Sequence, residues 1–321
     1  MKTAIIGTWH VHSEEYTRAL QNNPKSEPVI VWDNDAARGK AFADKMGLPF
    51  TEDLDGILKD ESIDSVMLCS ATCDHPDLLL KAANAGKHIF TEKVLTIGVE
   101  DALKVAEAVK ASGKVFTISF PHRTHATLRA AKALVEEGKL GRVTYARVRN
   151  VHNGSSADWL PPHFYDKAQC GGGAMMDLGA HPMYTLNWIL GAPKTITSTF
   201  TSVTNRGVED NAVSVIEFEN GAIGVSETGF VSESNPYTLE ISGTDGTVMV
   251  HGDSVRWGGK ATEGKWVDLP QPEKIRLPID QWIDAVCDGG TTPFTIEDAV
   301  MLTRLMDGAY KSYENGVKFV F

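Results

Sequence analysis

Cysteine is scarce in this chain. Cys69, Cys73, Cys170 and Cys287 are the only four, and no C-x-x-C pair is present, which excludes a zinc ribbon and a thioredoxin-type redox centre. Reduced, mostly buried thiols are expected instead. Positive charge is not in excess either: 31 Lys+Arg against 42 Asp+Glu give a formal charge of -11 without any basic run, so no nucleic-acid partner is expected. Long apolar runs are missing as well, and a membrane span needs about 20 such residues, so no membrane partner is expected. The opening "MKTAIIG" has one lysine and a short apolar run ending at a turn, which reads as a buried strand rather than a signal peptide. A cytoplasmic protein is expected.

With 321 residues the chain exceeds one typical hydrophobic core. Two domains are expected, residues 1–120 and 121–321, with the last helices long enough to pack back on the first. From Met1 to about Phe120, short β-branched runs ("TAIIG", "PVIVW", "DSVMLCS", "KHIFTEK", "KVFTISF") alternate with amphipathic stretches at Ser13–Asn22, Ala36–Met46, Pro76–Ala85 and Val99–Ser112. Parallel βαβ units read this way, so a doubly wound sheet is expected. Helices are then expected at Thr124–Glu137 and, after the break at Gly171-Gly172-Gly173, at Met175–Leu190. Between Lys194 and Asp268 the pattern is almost only strand, with turns at Asn220-Gly221 and Asp245-Gly246. A large, mostly antiparallel open sheet is expected there, followed by helices at Ile279–Cys287 and Ile296–Tyr313. No internal repeat is visible.

The stretch "AIIGTWHVHSEEY" supports two readings. His10 and His12 form an H-x-H after a buried strand, as in metal hydrolases built on (β/α)₈ barrels. A barrel would continue as alternating strands and helices for about eight units, whereas the later half here is hairpin pattern, so no catalytic metal is expected. A dinucleotide site needs a strand, a glycine turn, a helix start facing the pyrophosphate, and an acid about twenty positions on. Gly7 ends the first strand and Asp33 ends the second in "VIVWDND". An acid there accepts ribose hydroxyls and repels a 2′-phosphate, so NAD is expected over NADP. Trp9 and His12 stand where G-x-G-x-x-G would place its second and third glycines, so the Trp9 ring must turn away from the phosphates or force the cofactor outward.

More specific residues follow. "GKHIFTEKV" carries Glu92-Lys93 at a strand end, "VFTISFPHRTHATLRAAKALVEEGKLGRV" carries Arg123, and "GGGAMMDLGAHPMYTLNWILG" carries Asp177 and His181 as D-x-x-x-H. Over nearly its whole length the chain resembles the glucose-fructose oxidoreductase and inositol dehydrogenase family (Gfo/Idh/MocA), in which Glu-Lys-Pro ends the corresponding strand. The resemblance implies a Rossmann amino-terminal domain, an α/β carboxy-terminal domain whose open sheet packs on another subunit, and hydride transfer between a nicotinamide and a hydroxyl-bearing carbon of a sugar, polyol or related carbohydrate. A homodimer or homotetramer, associating through the sheet face between Lys194 and Val250, is expected. Val94 replaces the family's proline. A cis bond before a residue other than proline costs about 2.5–4 kcal/mol, so a trans peptide is expected at this turn.

For the site, the resemblance implies a cofactor turn of Gly7, Thr8, Trp9, His10 and Val11 with Asp33. The "CSATCDHPDLLL" loop adds Ser70, Ala71 and His75, the last a wall of the nicotinamide pocket, and Glu92 touches the cofactor ribose or nearby backbone. Oxidising an alcohol removes a proton as hydride leaves, so a base must reach that oxygen. His181 is the candidate, Lys93 holds the same oxygen and shares the proton, and Asp177 steers substrate and imidazole from four residues away on one helix face. Arg123, Asp158, Trp159 and His163 are candidate sugar contacts. Two alternatives stay open: a lyase or hydrolase that oxidises transiently and returns the hydride, and a non-catalytic NAD-binding regulator.

Overall fold

The computed structural model describes residues 1–234, 237–270, 272–273 and 275–321. They divide into two compact units, Met1–Ser119 with Arg276–Thr303, and Phe120–Ile275 with Arg304–Phe321.

The first unit runs β1 (Lys2–Ile6), α1 (Ser13–Asn22), β2 (Glu27–Trp32), α2 (Ala36–Met46), α3 (Leu54–Lys59), β3 (Ser65–Leu68), α4 (His75–Asn84), β4 (His88–Thr91), α5 (Val99–Ser112) and β5 (Phe116–Ile118). The five strands are parallel in the order β2-β1-β3-β4-β5. Every residue of β3 is buried, because helices cover both faces of such a sheet; its sequence is therefore a short apolar run without alternation. Strand order reverses between β1 and β3, and in doubly wound sheets ligands bind outside the carboxyl ends of the strands at that point. Helix boundaries follow local chemistry: Asp35 caps α2 by accepting from the Ala37 and Arg38 amides, and Gly47 ends it in the left-handed region. After the second unit the chain returns in α9 (Pro278–Asp288), whose buried Ile279, Trp282 and Ile283 join the core of Tyr16, Leu20, Met67 and Phe90. The Trp282 and Phe90 rings lie 5.7 Å apart. Burying one such side chain contributes about 1.5–3 kcal/mol.

The second unit holds α6 (Ala126–Glu136), β6 (Val143–Val151), α7 (Lys167–Cys170), α8 (Ala180–Leu190), β7 (Pro193–Thr201), β8 (Asn211–Phe218), β9 (Ile223–Gly229), β10 (Thr238–Gly243), β11 (Gly246–His251), β12 (Ser254–Gly259) and β13 (Val267–Asp268). The end of α10 (Ile296–Asn315) and β14 (Phe319–Val320) complete it. Nine strands form one sheet, β13-β12-β11-β10-β6-β9-β8-β7-β14, antiparallel throughout except that β6 and β9 pair parallel. Alternation sorts its faces: Ala212, Ser214, Ile216 and Phe218 of β8 are buried, while Val213 and Val215 are exposed. Helix α8 packs against β6 and β9, and α6 against β11 and β12. The expected hairpin at Asn220-Gly221 joins β8 to β9, with Gly221 at φ +83°.

Several expected boundaries move. Helix α8 begins at Ala180 rather than Met175, since residues 171–179 form successive turns. Pro182 stands in the first helical turn, where its missing N–H costs nothing. Helix α6 begins at Ala126 rather than Thr124, after the short 3-10 turn Pro121–Thr124. Among the described residues no helix is long and apolar enough to cross a membrane.

Candidate active site

The cofactor-side residues of the first unit lie at the carboxyl ends of its strands. Gly7 has φ +79°, and a Cβ there would come within 2.6 Å of the Ser70 backbone, so only glycine lets the ends of β1 and β3 approach this closely. The amides of Trp9 and His10 both donate to the Cys69 carbonyl, at 3.1 and 3.0 Å, which fixes the turn on β3. Trp9 is buried, 6 % exposed, whereas Val11 beside it is 53 % exposed. His12 precedes α1, and its ring is bound to Glu15 at 3.0 Å. Among the described residues no group of three His, Cys, Asp or Glu side chains is placed to hold a metal.

Asp33 is heavily engaged. One carboxylate oxygen accepts from the Thr8 amide (2.7 Å), the Thr8 hydroxyl (2.6 Å) and Arg38 Nε (3.1 Å), and the other from the Asp35 amide (2.8 Å) and a second Arg38 nitrogen. A ribose hydroxyl reaching Asp33 therefore competes with the Arg38 guanidinium. The Ser70 hydroxyl is buried and has no hydrogen-bond partner among the described residues. A close-approach glycine, a strand-end acid and this orphaned hydroxyl together fit a dinucleotide: Gly7 with Thr8 to Val11 would cradle it, and Asp33 and Ser70 would take its polar groups.

Glu92 is turned into the protein, 2 % exposed. It accepts from the Tyr16 hydroxyl and, at 2.9 Å, from the Lys93 amide, and Tyr16 also meets Ser119 Oγ at 2.8 Å. Burial alone would raise the Glu92 carboxyl, but His10, His12, Lys93 and the Tyr16 hydroxyl outweigh it and hold the group below the usual carboxylate range. Of its two expected contacts, the carboxylate thus makes the backbone one. The Lys93–Val94 peptide is cis, contrary to the trans bond expected without proline. What fixes the segment in place of a proline ring is side-chain bonding: His75 Nδ1 lies 3.0 Å from the Val94 carbonyl and 3.2 Å from that of Leu95. His75 Nε2 lies 3.3 Å from the Ser70 carbonyl, so the buried ring stands between the end of β3 and the Lys93 turn, and in its neutral form its single N–H donates to one side only. Ala71 leads into the 3-10 turn just before it.

In the second unit the triple glycine is shaped by close contacts. A Cβ on Gly172 would meet the Tyr310 hydroxyl at 1.8 Å, and one on Gly173 the Glu209 carbonyl at 2.1 Å. One Glu209 oxygen accepts from the amides of Gly173 (2.9 Å) and Met175 (3.0 Å) and from the Tyr310 hydroxyl (2.6 Å). Asp177 follows in this turn region, its amide bonded to the Gly173 carbonyl at 3.0 Å. It lies before α8, so it does not share a helix face with His181 as expected. The pinned glycines and the late helix start at Ala180 are the reason. Asp177 acts electrostatically on His152, whose ring burial drives below the ordinary imidazole value despite that carboxylate.

His181, buried in the first turn of α8, has Nδ1 2.8 Å from the Tyr184 hydroxyl. The His122 ring stacks on it, centroids 4.1 Å apart and planes 18° from parallel. Neither Tyr184 nor His122 was among the expected residues. Arg123 lies with its guanidinium 5.4 Å above the Trp188 ring. Asp158 points to Arg206 at 2.8 Å and is largely exposed, and Trp159, 54 % exposed, donates from Nε1 to Asn153. His163 sits in the 3-10 turn Pro162–Tyr165, its carbonyl accepting from Cys170 Sγ.

A parallel sheet of this order with such a strand-end turn defines a Rossmann-type oxidoreductase. Residues 1–120 match the model of an oxidoreductase family with an NAD-binding Rossmann fold, and residues 128–249 match the GFO/IDH/MocA C-terminal domain. The chain belongs to the Gfo/Idh/MocA family. It is 26 % identical over 335 residues to scyllo-inositol 2-dehydrogenase (NAD(+)) of Bacillus subtilis, covering 99 % of this chain and 95 % of the relative. It is 26 % identical over 327 residues to D-xylose 1-dehydrogenase (NADP(+)) 2 of Haloferax volcanii, covering 98 % of each. Among solved structures, GenD2 from gentamicin A biosynthesis in complex with NAD superposes with a TM-score of 0.86 at 27 % identity, covering 100 % of this chain and 96 % of that one.

Proposed function

We propose that this protein is an NAD-preferring dehydrogenase that oxidises a secondary hydroxyl of a sugar, polyol or related carbohydrate, or runs the reverse reduction. The observation that carries this reading is that a chain matched over 98–99 % of its length by an inositol and a xylose dehydrogenase carries Lys93, Asp177 and His181 as well as Gly7 and Asp33. A bound nicotinamide supplies the hydride acceptor. The chain's own part is to hold the substrate oxygen and move its proton: Lys93 and His181 act on that oxygen, and Asp177 steers the substrate. Asp33 favours NAD because a 2′-phosphate beside a carboxylate is repelled. Dimers or tetramers form through the exposed sheet face that carries Val213, Val215 and Ile223, an apolar patch needing cover. Light scattering at micromolar concentration tests this, and a monomer would refute it.

The deciding experiment incubates the protein with NAD and a panel of sugars, inositols and glycosides, following NADH absorbance and product mass together. NADH formed one-for-one with a product two hydrogens lighter is expected. Product without NADH would indicate a cycle that returns the hydride, and NAD binding without any reaction would indicate a regulator.

A further inference from the structure

Around His181 the second unit builds an arrangement that the family pattern does not require. Tyr184, one turn further along α8, stacks face to face on Phe120, centroids 4.2 Å apart and planes 18° from parallel, so its ring has a fixed direction. Its hydroxyl oxygen accepts the His122 amide at 3.1 Å and lies 2.8 Å from His181 Nδ1. The His122 ring covers one face of the His181 ring. A phenol that accepts a hydrogen bond becomes the stronger donor, because successive bonds in a chain polarise one another. The preferred direction of this chain is therefore from the His122 N–H to the Tyr184 oxygen, and from the Tyr184 O–H to Nδ1.

We propose that Tyr184 is the positioning residue of His181, its hydroxyl, held by the His122 amide and the Phe120 ring, donating to Nδ1 so that the neutral imidazole carries its proton on Nε2. The tautomer of a histidine is set by the bond its other nitrogen makes. With Nδ1 receiving, Nε2 presents an N–H. In the dehydrogenase reading, on which only this functional consequence rests, His181 then lends a hydrogen bond to the substrate oxygen instead of taking its proton. This sharpens the division of labour between two residues that the sequence leaves sharing one task.

The test is nitrogen-15 NMR of the histidine-labelled full-length protein at alkaline pH, without substrate, with the His181 signals assigned by their loss in His181→Gln. A pyridine-type Nδ1 and a pyrrole-type Nε2 are expected. In Tyr184→Phe the pair should collapse toward averaged values while the other histidine signals stay in place. A pyrrole-type Nδ1 in the unaltered protein, or a His181 pair indifferent to Tyr184→Phe, overturns the proposal. Should the variant not fold, the spectrum of the unaltered protein alone decides the tautomer. Once a substrate is in hand, Tyr184→Phe should lower kcat by about 10- to 100-fold with KM little changed, as when an orienting partner of a working imidazole is lost. If His181→Ala keeps full turnover although the tautomer is as stated, the functional reading fails and the Tyr184 assignment stands.

Discussion

The strand ends of the first unit and the start of α8 in the second hold their polar groups by opposite means. Asp33 and Glu92 are carboxylates immobilised by donors from their own unit: amides, a threonine and a tyrosine hydroxyl, and an arginine. His181 is an imidazole immobilised by rings, with His122 on its face and Tyr184 at one nitrogen. Carboxylates bonded in this way are held in one orientation. Stacked rings fix a direction while leaving a proton free to be exchanged. The proposed reading therefore places ligand holding on Asp33 and the Gly7 turn, and the chemistry on Lys93 and His181.

The largest test of this contrast is kinetic. His181→Ala and Lys93→Met should each lower turnover roughly 10²- to 10⁴-fold, the range for losing a group that acts on the substrate oxygen in the transition state, with NAD affinity unchanged by calorimetry. Gly7→Ala should do the reverse and weaken NAD binding, because a side chain there meets the Ser70 backbone. Should His181→Ala weaken NAD binding as much as it slows turnover, the division would be broken.

Stability gives the next test. Gly172→Ala places a Cβ against the Tyr310 hydroxyl and should cost about 1–3 kcal/mol by denaturant unfolding, as overpacking does. Tyr310→Phe should recover only the part of that cost due to the hydroxyl in the double variant, since the ring Cζ still lies 2.4 Å from the added Cβ. Full additivity of the two changes would mean the loop relaxes elsewhere.

These contacts also mark how far the sequence could be read. The five parallel strands are visible because each is a short apolar run bounded by turn residues, and the β8–β9 hairpin because Asn-Gly favours a left-handed turn. Gly7 and Asp33 follow from strand-end spacing. Tyr184 and His122 do not, since their value lies in a hydrogen bond across 62 residues of sequence, for which there is no periodicity to find. Glu209 is hidden likewise, bonding to amides 36 and 34 positions back. Asp177 was misplaced onto a helix because D-x-x-x-H has helical spacing, while the Glu209 and Tyr310 contacts that keep residues 171–179 in turns are not local. The cis peptide at Lys93–Val94 lies outside what composition can signal.

Cofactor choice sharpens the comparison on the first unit's side. NAD should bind more tightly than NADP by titration calorimetry. Asp33→Ala should narrow or reverse that preference by about tenfold or more, because it removes the repelling charge and releases Arg38 toward a 2′-phosphate; hydrogen bonds to charged groups are worth about 1.5–3 kcal/mol. Arg38→Ala should leave the preference for NAD intact. Unchanged selectivity in Asp33→Ala would remove Asp33 from the cofactor assignment.

The smallest expected effect is a pH dependence of stability, and it separates the two regions through a group whose charge is suppressed. Burial drives the His75 imidazole below its ordinary value of 6.5, outweighing the Ser70, Val94 and Leu95 carbonyls and the Glu92 carboxylate, which favour the charged form. The unfolded chain therefore takes up a proton first as pH falls. Stability contributed by the neutral ring is fully present above about pH 6.5 and is lost as pH falls from there through the lower folded value. Burial depresses His88 in the first unit and His152 in the second in the same sense, so the unaltered protein loses stability over this window for more than one reason. His75→Gln isolates one of them: it keeps an amide N–H for the Val94 carbonyl and cannot titrate. Thermal melts of both proteins between neutral and mildly acid pH should show the variant less stable at neutral pH but losing less on acidification. Parallel curves would show that the neutral form of His75 contributes no stability over this window.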